Sequence, residues 1–295
     1  MATIGFIGLG NMGNPMAANL VKAGHSVMGF DLAQASLDLA KENGLEIAVS
    51  LIDAAVGKDV VITMLPAGQH VLSVYKDVLD EADSGTLFID CSTIDVDSAR
   101  TAHENAKLAG MYSIDAPVSG GVGGASAGTL TFMAGGSEEA FEKAKEILEP
   151  MAGRIVHCGE DGAGQSAKIC NNMILGISMI GVGEAFALAE KLGLSHQALF
   201  DVASTSSGQC WSINTYCPVP GPVPTSPANN DYKPGFAVDL MLKDLKLSQE
   251  AAQSNGAITP LGAQATQLYS LFSAMGNGGM DFSGIIEFMR GKKEH

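Results

Sequence analysis

Six residues near the start, Gly8-Leu9-Gly10-Asn11-Met12-Gly13, follow the β-rich run Ile4-Gly5-Phe6-Ile7 and open into a helical stretch. Alone, the spacing GxGxxG is a weak signal. Between a strand and a helix it commits the chain to a βαβ unit built around a phosphate-binding turn. The first glycine makes the tight turn, the second leaves room for a pyrophosphate, and the third lets helix and strand pack closely. Free N–H groups at the helix start then face the phosphates, where the helix dipole favours anions. Asp31 ends the next strand, eighteen residues after Gly13. A carboxylate there accepts hydrogen bonds from the adenosine ribose and repels a 2′-phosphate, so the expected cofactor is NAD rather than NADP. The plainer readings are a glycine-rich turn without a ligand, and a turn or N-cap role for Asp31. Gly8, Gly10, Asn11, Met12, Gly13 and Asp31 are the first candidate cofactor residues.

The same alternation continues to about residue 160. β-rich runs at 3–7, 26–30, 60–64, 86–89 and 111–115 alternate with helical stretches at 14–23, 34–43, 70–78 and 97–108. Two more short strands, 129–134 and 154–157, flank a helix at 138–148. This spacing predicts parallel βαβ units with right-handed crossovers: a Rossmann-type α/β domain over 1–162 with a mostly parallel sheet. Leu65, Pro66 and Thr93 follow the carboxyl ends of two strands, where such sheets bind ligands. They are candidates to line the nicotinamide half, or else ordinary strand-to-helix turns.

From 165 to 192 the pattern changes to one long, mostly apolar stretch without proline. It predicts a helix that is apolar on nearly every side and therefore buried all round. Gly176, Gly181, Gly183, Ala185, Ala187 and Ala189 would let it pack closely. Further helices are expected at 195–203, 237–254 and 261–275, with no clear strand. The second domain, 163–295, is therefore expected to be all-helical and joined to the first by the long helix. The run Cys217-Pro218-Val219-Pro220-Gly221-Pro222-Val223-Pro224 can be neither helix nor central strand and reads as a long loop.

Composition narrows the partners. Lys and Arg number 17 against 32 Asp and Glu, a net charge of −15, which repels nucleic acid and anionic membrane surfaces. The five cysteines contain no CxxC and read as free thiols of a reducing compartment. Residues 4–21 are uncharged but rich in glycine and asparagine, and they lack the basic start of a signal peptide. The apolar run 173–183 meets Glu184 too early for a span of ~20 residues. The expectation is a cytoplasmic protein, or one of an organelle matrix after loss of a transit peptide.

The six histidines are scattered, with no HxxxH and no Cys/His cluster, so no metal is expected. Tyr112 has no lysine four residues on. One constellation remains, at the head of the long helix: Gly164-Gln165-Ser166-Ala167-Lys168-Ile169-Cys170-Asn171-Asn172. Lys168 and Asn172 are four apart and share one face. A lysine in so apolar a helix is costly unless it is paired or working, and burial lowers its basicity toward that of a neutral-pH base. The alternative is a surface lysine snorkelling at the helix start.

Four blocks, in order along the chain, resemble the β-hydroxyacid dehydrogenase family: Gly5 to Gly13, Asp115-Ala116-Pro117-Val118-Ser119-Gly120-Gly121, Gly164 to Asn172, and Lys243-Asp244-Leu245. The resemblance implies an NAD-dependent dehydrogenase with Lys168 as acid/base. It implies that Ser119, Gly120 and Gly121 hold a substrate carboxylate, that Asn172 orients substrate and that Lys243 lies at the cofactor. The cradle makes physical sense, since it offers a hydroxyl and unshielded backbone N–H groups. Lys168 to Met173, Ser206 to Ser212 and Pro218 to Gly221 most resemble the branch acting on 3-hydroxyisobutyrate. The implied reaction is its oxidation to methylmalonate semialdehyde in valine breakdown, with Trp211 and Phe236 as an apolar wall for the 2-methyl group. By itself Trp211, the sole tryptophan, reads more readily as core packing than as a site residue. The rival readings are a relative acting on serine, tartronate semialdehyde or succinic semialdehyde, and an NAD-binding protein without chemistry. The apolar long helix also suggests a homodimer or homotetramer.

Overall fold

A computed structural model describes residues 1–291. The chain forms two compact units, Met1–Lys168 and the stretch from Ile169 onward.

The first unit runs β1 (Thr3–Ile7), α1 (Gly13–Lys22), β2 (Ser26–Phe30), α2 (Gln34–Glu42), β3 (Glu46–Ile47), β4 (Val60–Thr63), α3 (Gly68–Val78), β5 (Leu87–Asp90), α4 (Val96–Leu108) and β6 (Tyr112–Asp115). These six strands pair in parallel in the order β3-β2-β1-β4-β5-β6. Then come β7 (Val118–Ser119), α5 (Gly121–Ala127), β8 (Leu130–Gly135), α6 (Glu138–Leu148) and β9 (Ala152–Gly159). Strand β8 is antiparallel to β6 and β7 and parallel to β9.

Both faces of the sheet are buried, which is why its strands read as continuous apolar runs. Successive side chains still alternate between faces. Ile4, Phe6, Val60, Ile62, Leu87 and Ile89 pack on one side with Leu20 of α1 and Phe141 of α6. Ile7, Val61 and Phe88 pack on the other with Val71 and Tyr75 of α3 and Ala99 and Ala102 of α4. Burial of such side chains stabilises by about 1.5–3 kcal/mol each. The register pairs Ile7 with Phe30 and Thr63, Thr63 with Asp90, and Asp90 with Asp115. The carboxyl ends of five strands therefore lie along one edge, and the site is built there.

Helix α7 (Ala163–Lys191) starts in the first unit and runs on into the second, which continues with α8 (His196–Ala203), α9 (Trp211–Asn214), α10 (Val238–Ser254), α11 (Pro260–Phe272) and α12 (Ile285–Arg290). Met179 and Ile180 of α7 pack with Met241, Leu245, Tyr269 and Ile285. A Cβ on Gly176 would come within 3.0 Å of Leu245, and one on Gly183 within 2.9 Å of Met289. The small residues thus set close helix packing. By length and composition α7 could cross a membrane; its buried Gln165, Lys168 and Asn172, and its core contacts, are those of a packing helix.

Two expectations need correction. Helix α7 is not buried all round: Ile174 is 63% and Leu188 59% exposed, and Gly181 and Ala185 lie on the same exposed face. The small residues there blur the periodicity that would have shown an amphipathic helix. The helix expected at 261–275, α11, is α-helical only to Phe272 and passes into a π turn, Ser273–Asn277, in which Gly276 turns the chain at φ 91°. The proline-rich run is indeed irregular, but it is core. Val219 is fully buried with Phe186, Ile213 and Ile286. The Ser226 hydroxyl donates to the Cys217 carbonyl (2.5 Å) and the Tyr232 hydroxyl to that of Pro218 (2.8 Å).

Candidate active site

The glycine turn after β1 has the form a dinucleotide needs. Gly8 sits at φ 95°, and a Cβ there would come within 2.3 Å of the Met64 carbonyl oxygen. At Gly13 a Cβ would meet the Gly8 carbonyl oxygen at 1.9 Å, so helix α1 can press on the turn only without a side chain. Gly10 is exposed, with open space where its Cβ would be. No side chain caps the start of α1, which leaves the N–H groups around Asn11 and Met12 to an anionic ligand.

Asp31 follows β2 and grips this turn. Its carboxylate accepts from the Leu9 N–H (2.7 Å) and the Ala33 N–H (2.8 Å). A carboxylate has about four acceptor positions, so two remain for ribose hydroxyls. Asp31 is thus both a turn residue and a candidate cofactor residue. No lysine or arginine lies between Asp31 and Ala40 to take a 2′-phosphate. Leu65 follows β4, and its N–H is held by the Ser92 hydroxyl (2.8 Å). Pro66, after β4, is exposed and Thr93, after the neighbouring β5, is half-buried. The residues named from the glycine motif, Asp31 and the β4 and β5 ends are therefore brought together.

The head of α7 docks onto the ends of β5 and β6. Asp115, 2% exposed, accepts from the Gly162 N–H (2.9 Å), the Gln165 N–H (2.8 Å) and His103 Nε2 (2.9 Å). It satisfies N–H groups at the helix start and complements the dipole there. The Gln165 side chain donates to the Ser92 carbonyl (2.7 Å) and accepts from the Ile94 N–H (3.1 Å). A Cβ on Gly164 would collide with the Met133 and Asp115 carbonyl oxygens. So anchored, the helix carries Lys168 inward. Lys168 is 6% exposed and its ammonium nitrogen donates to the Val118 carbonyl at 2.7 Å. The snorkelling alternative is excluded. Just beyond Val118, Ser119 ends β7, Gly120 turns the chain at φ 138° and Gly121 opens α5. The glycines are a defined helix start, not a loose turn.

In the second unit, Asn172 is 2% exposed and donates to Asp244 at 2.5 Å. Lys243 lies 3.9 Å from the same carboxylate. Trp211 is 49% exposed and stacks on Tyr216 at 4.7 Å, so it is not core packing. Tyr216 stacks on Phe282 at 5.3 Å, and Phe236 meets Phe282 edge-on at 5.8 Å.

Two family models cover the chain. Residues 3–159 match the NAD binding domain of 6-phosphogluconate dehydrogenase, and residues 162–289 match the NAD-binding region of NADP-dependent 3-hydroxyisobutyrate dehydrogenase. A probable 3-hydroxyisobutyrate dehydrogenase of Mycobacterium tuberculosis is 54% identical over 294 residues, 100% of both chains. The chain belongs to the 3-hydroxyisobutyrate dehydrogenase family. A solved structure of the Mycobacterium tuberculosis 3-hydroxyisobutyrate dehydrogenase with L-serine is 55% identical. It superposes with a TM-score of 0.96, covering 98% of this chain and 99% of that one. An NAD-dependent L-serine dehydrogenase of Pseudomonas aeruginosa is 49% identical, covering 96% of each chain.

As a member of the 3-hydroxyisobutyrate dehydrogenase family, the protein is an NAD-dependent 3-hydroxyacid dehydrogenase. The glycine cradle, the uncapped α1 and the free acceptor positions of Asp31 fit NAD. Four groups described above carry no role in the sequence analysis: Asp115 and Gln165 in the first unit, Asp244 and Tyr216 in the second. Asp115, Gln165 and Asp244 each sit inside one of the family-like blocks, which was the available signal. Nothing local marks Tyr216, whose partners lie elsewhere in the chain.

Proposed function

We propose that the enzyme oxidises the primary alcohol of 3-hydroxyisobutyrate to methylmalonate semialdehyde in valine breakdown, with Lys168 as general acid/base. The observation that carries this reading is a buried lysine amine that donates to the Val118 carbonyl, one helical turn before buried Asn172. NAD supplies the hydride acceptor for C3, and Gly8, Gly10, Asn11, Met12, Gly13 and Asp31 would hold it, with Leu65, Pro66 and Thr93 along the nicotinamide half. The neutral Lys168 amine takes the hydroxyl proton, and its ammonium form returns it in the reverse direction. Alcohol and oxidised cofactor thus give aldehyde, reduced cofactor and one proton. Asn172, fixed by Asp244, keeps a second N–H for the substrate. Ser119, Gly120 and Gly121 offer a hydroxyl and N–H groups to its carboxylate. Lys243 serves the cofactor. Trp211 and Phe236 form the apolar wall for the 2-methyl group.

L-serine is the second reading, because the Pseudomonas aeruginosa relative is named for it and the Mycobacterium tuberculosis structure contains it. It shares the carboxylate and the CH2OH group. A panel of 3-hydroxyisobutyrate, L-serine, 3-hydroxypropionate, glycerate and 4-hydroxybutyrate, followed by NADH absorbance, decides between them. The highest kcat/KM for 3-hydroxyisobutyrate supports the proposal; a higher value for serine overturns it. We further read 1–162 as the cofactor domain and 163–295 as the helical domain of a soluble cytoplasmic homodimer or homotetramer. The exposed apolar face of α7 motivates the oligomer, and light scattering tests it.

A further inference from the structure

The second unit buries a carboxylate with no place in the cofactor cradle or the proton path. Asp281 is 0% exposed and accepts five hydrogen bonds. Its Oδ1 takes the N–H (3.0 Å) and hydroxyl (2.6 Å) of Ser283, a local cap. Its Oδ2 takes the Tyr216 hydroxyl (2.8 Å) and the N–H groups of Gly235 (3.0 Å) and Phe236 (3.1 Å). Capping a turn does not require that second oxygen to gather three donors from two other segments. The segments are also laced by backbone: Asp281 N–H to the Tyr232 carbonyl, Phe282 N–H to that of Phe236, and Val238 N–H to that of Met280. Gly235 approaches so closely that a Cβ would sit 2.6 Å from the Tyr216 hydroxyl.

We propose that Asp281 is a positioning residue for substrate selectivity: one oxygen holds both Tyr216 and the Gly235–Phe236 backbone, which fixes the spacing of Trp211 and Phe236. Trp211 inherits its place by stacking on Tyr216, and Phe236 by the anchored backbone and its contact with Phe282. Burial, the Asp281 charge and the hydrogen bond to it all push the Tyr216 phenol far above its ordinary range. It therefore stays a donor to Asp281 at every working pH. An amide in place of the carboxylate would turn one N–H pair toward donors it cannot accept from, so the cluster must spread. The inference rests on Trp211 and Phe236 forming the wall for the methyl group.

The test compares kcat/KM for 3-hydroxyisobutyrate and 3-hydroxypropionate, which differ by that methyl. One methyl in a pocket is worth about 10–200-fold. Asp281→Asn should lower this preference about tenfold while 3-hydroxypropionate turnover stays within about threefold of wild type. Gly235→Ala, which wedges the same contact, should do likewise and decides the matter where Asp281→Asn does not fold. Ile147→Ala, in the first-unit core, should lower Tm and leave the preference unchanged, as a merely structural loss would. If Trp211→Ala moves the preference and Gly235→Ala and every folded Asp281 variant do not, Asp281 only caps its turn. If Trp211→Ala and Phe236→Ala also leave it unchanged, the wall itself is misread and the inference falls with it.

Discussion

Replacing Asp31 by Ser should turn the cofactor preference, and the structure gives the size of the effect. Asp31 already accepts from the Leu9 and Ala33 N–H groups, leaving two acceptor positions for the ribose hydroxyls. Hydrogen bonds to a charged acceptor are worth about 1.5–3 kcal/mol each. Asp31 is half-exposed, so we halve the lower figure for two bonds, to about 1.5 kcal/mol, or about tenfold in kcat/KM for NAD. Removing the carboxylate also relieves its repulsion of a 2′-phosphate. At ~4 Å that repulsion lies between about 1 and 4 kcal/mol, depending on the effective dielectric. The NAD/NADP ratio of kcat/KM should therefore fall by about 10²-fold, measured by NADH and NADPH formation at fixed 3-hydroxyacid. The variant also loses a brace of the glycine turn and should melt a few degrees lower, by about 2–4 °C per kcal/mol. Asp31→Asn serves as control, because it keeps one acceptor oxygen while shedding the charge. A ratio within threefold of wild type in Asp31→Ser, with Tm lowered, would mean that Asp31 only braces the turn.

Asp244→Ala frees Asn172 from its 2.5 Å bond and should lower kcat by about 10–100-fold, with NADH binding measured by fluorescence largely kept. Gly120→Ala forces φ 138° on a residue with a Cβ that would press Leu130 at 3.0 Å. The strain should cost about 1–3 kcal/mol in urea unfolding and raise KM more than it lowers kcat. Glu190 is pulled toward the charged state by hydrogen bonds from Arg290 and His196, which outweigh the opposing effect of burial. Its folded pKa lies below its unfolded one, so its stabilisation is present above the unfolded value near ~4.3 and is lost as pH falls through the folded value. The Tm gap between wild type and Glu190→Gln should be worth about 1 kcal/mol at neutral pH and close in acid.

Much of this site is written locally in the chain. The turn at Gly8–Gly13 and the Asp31 after β2 are legible because strand, glycine spacing and helix start fall within about thirty residues. Lys168 is legible as a charge in an apolar helix. What was not legible depends on contacts far apart in sequence. Asn172 meets Asp244 and Tyr216 meets Asp281 across 72 and 65 positions, and no local pattern announces either. Strands β3 and β7, of two residues each, are too short to show a period. Helix α5 is glycine-rich and has no propensity of its own; the turn at Gly120 and the burial of Ala125 hold it in place. The exposed face of α7 is mostly apolar, so composition could not tell it from the buried one.

Single-turnover oxidation of 3-hydroxyisobutyrate by saturating NAD tests most directly the proposed passage of the hydroxyl proton through Lys168. Wild type should turn over faster as pH rises, because only the neutral amine accepts a proton. Lys168→Ala should lose about 10²–10⁴-fold in the chemical step while binding NADH and unfolding cooperatively. Lys168→Arg should be nearly as slow, since guanidinium does not release its proton in this range. If Lys168→Ala kept more than about a tenth of the wild-type rate while Lys243→Ala abolished it with NADH affinity intact, the proton would pass through Lys243 and the account would be wrong.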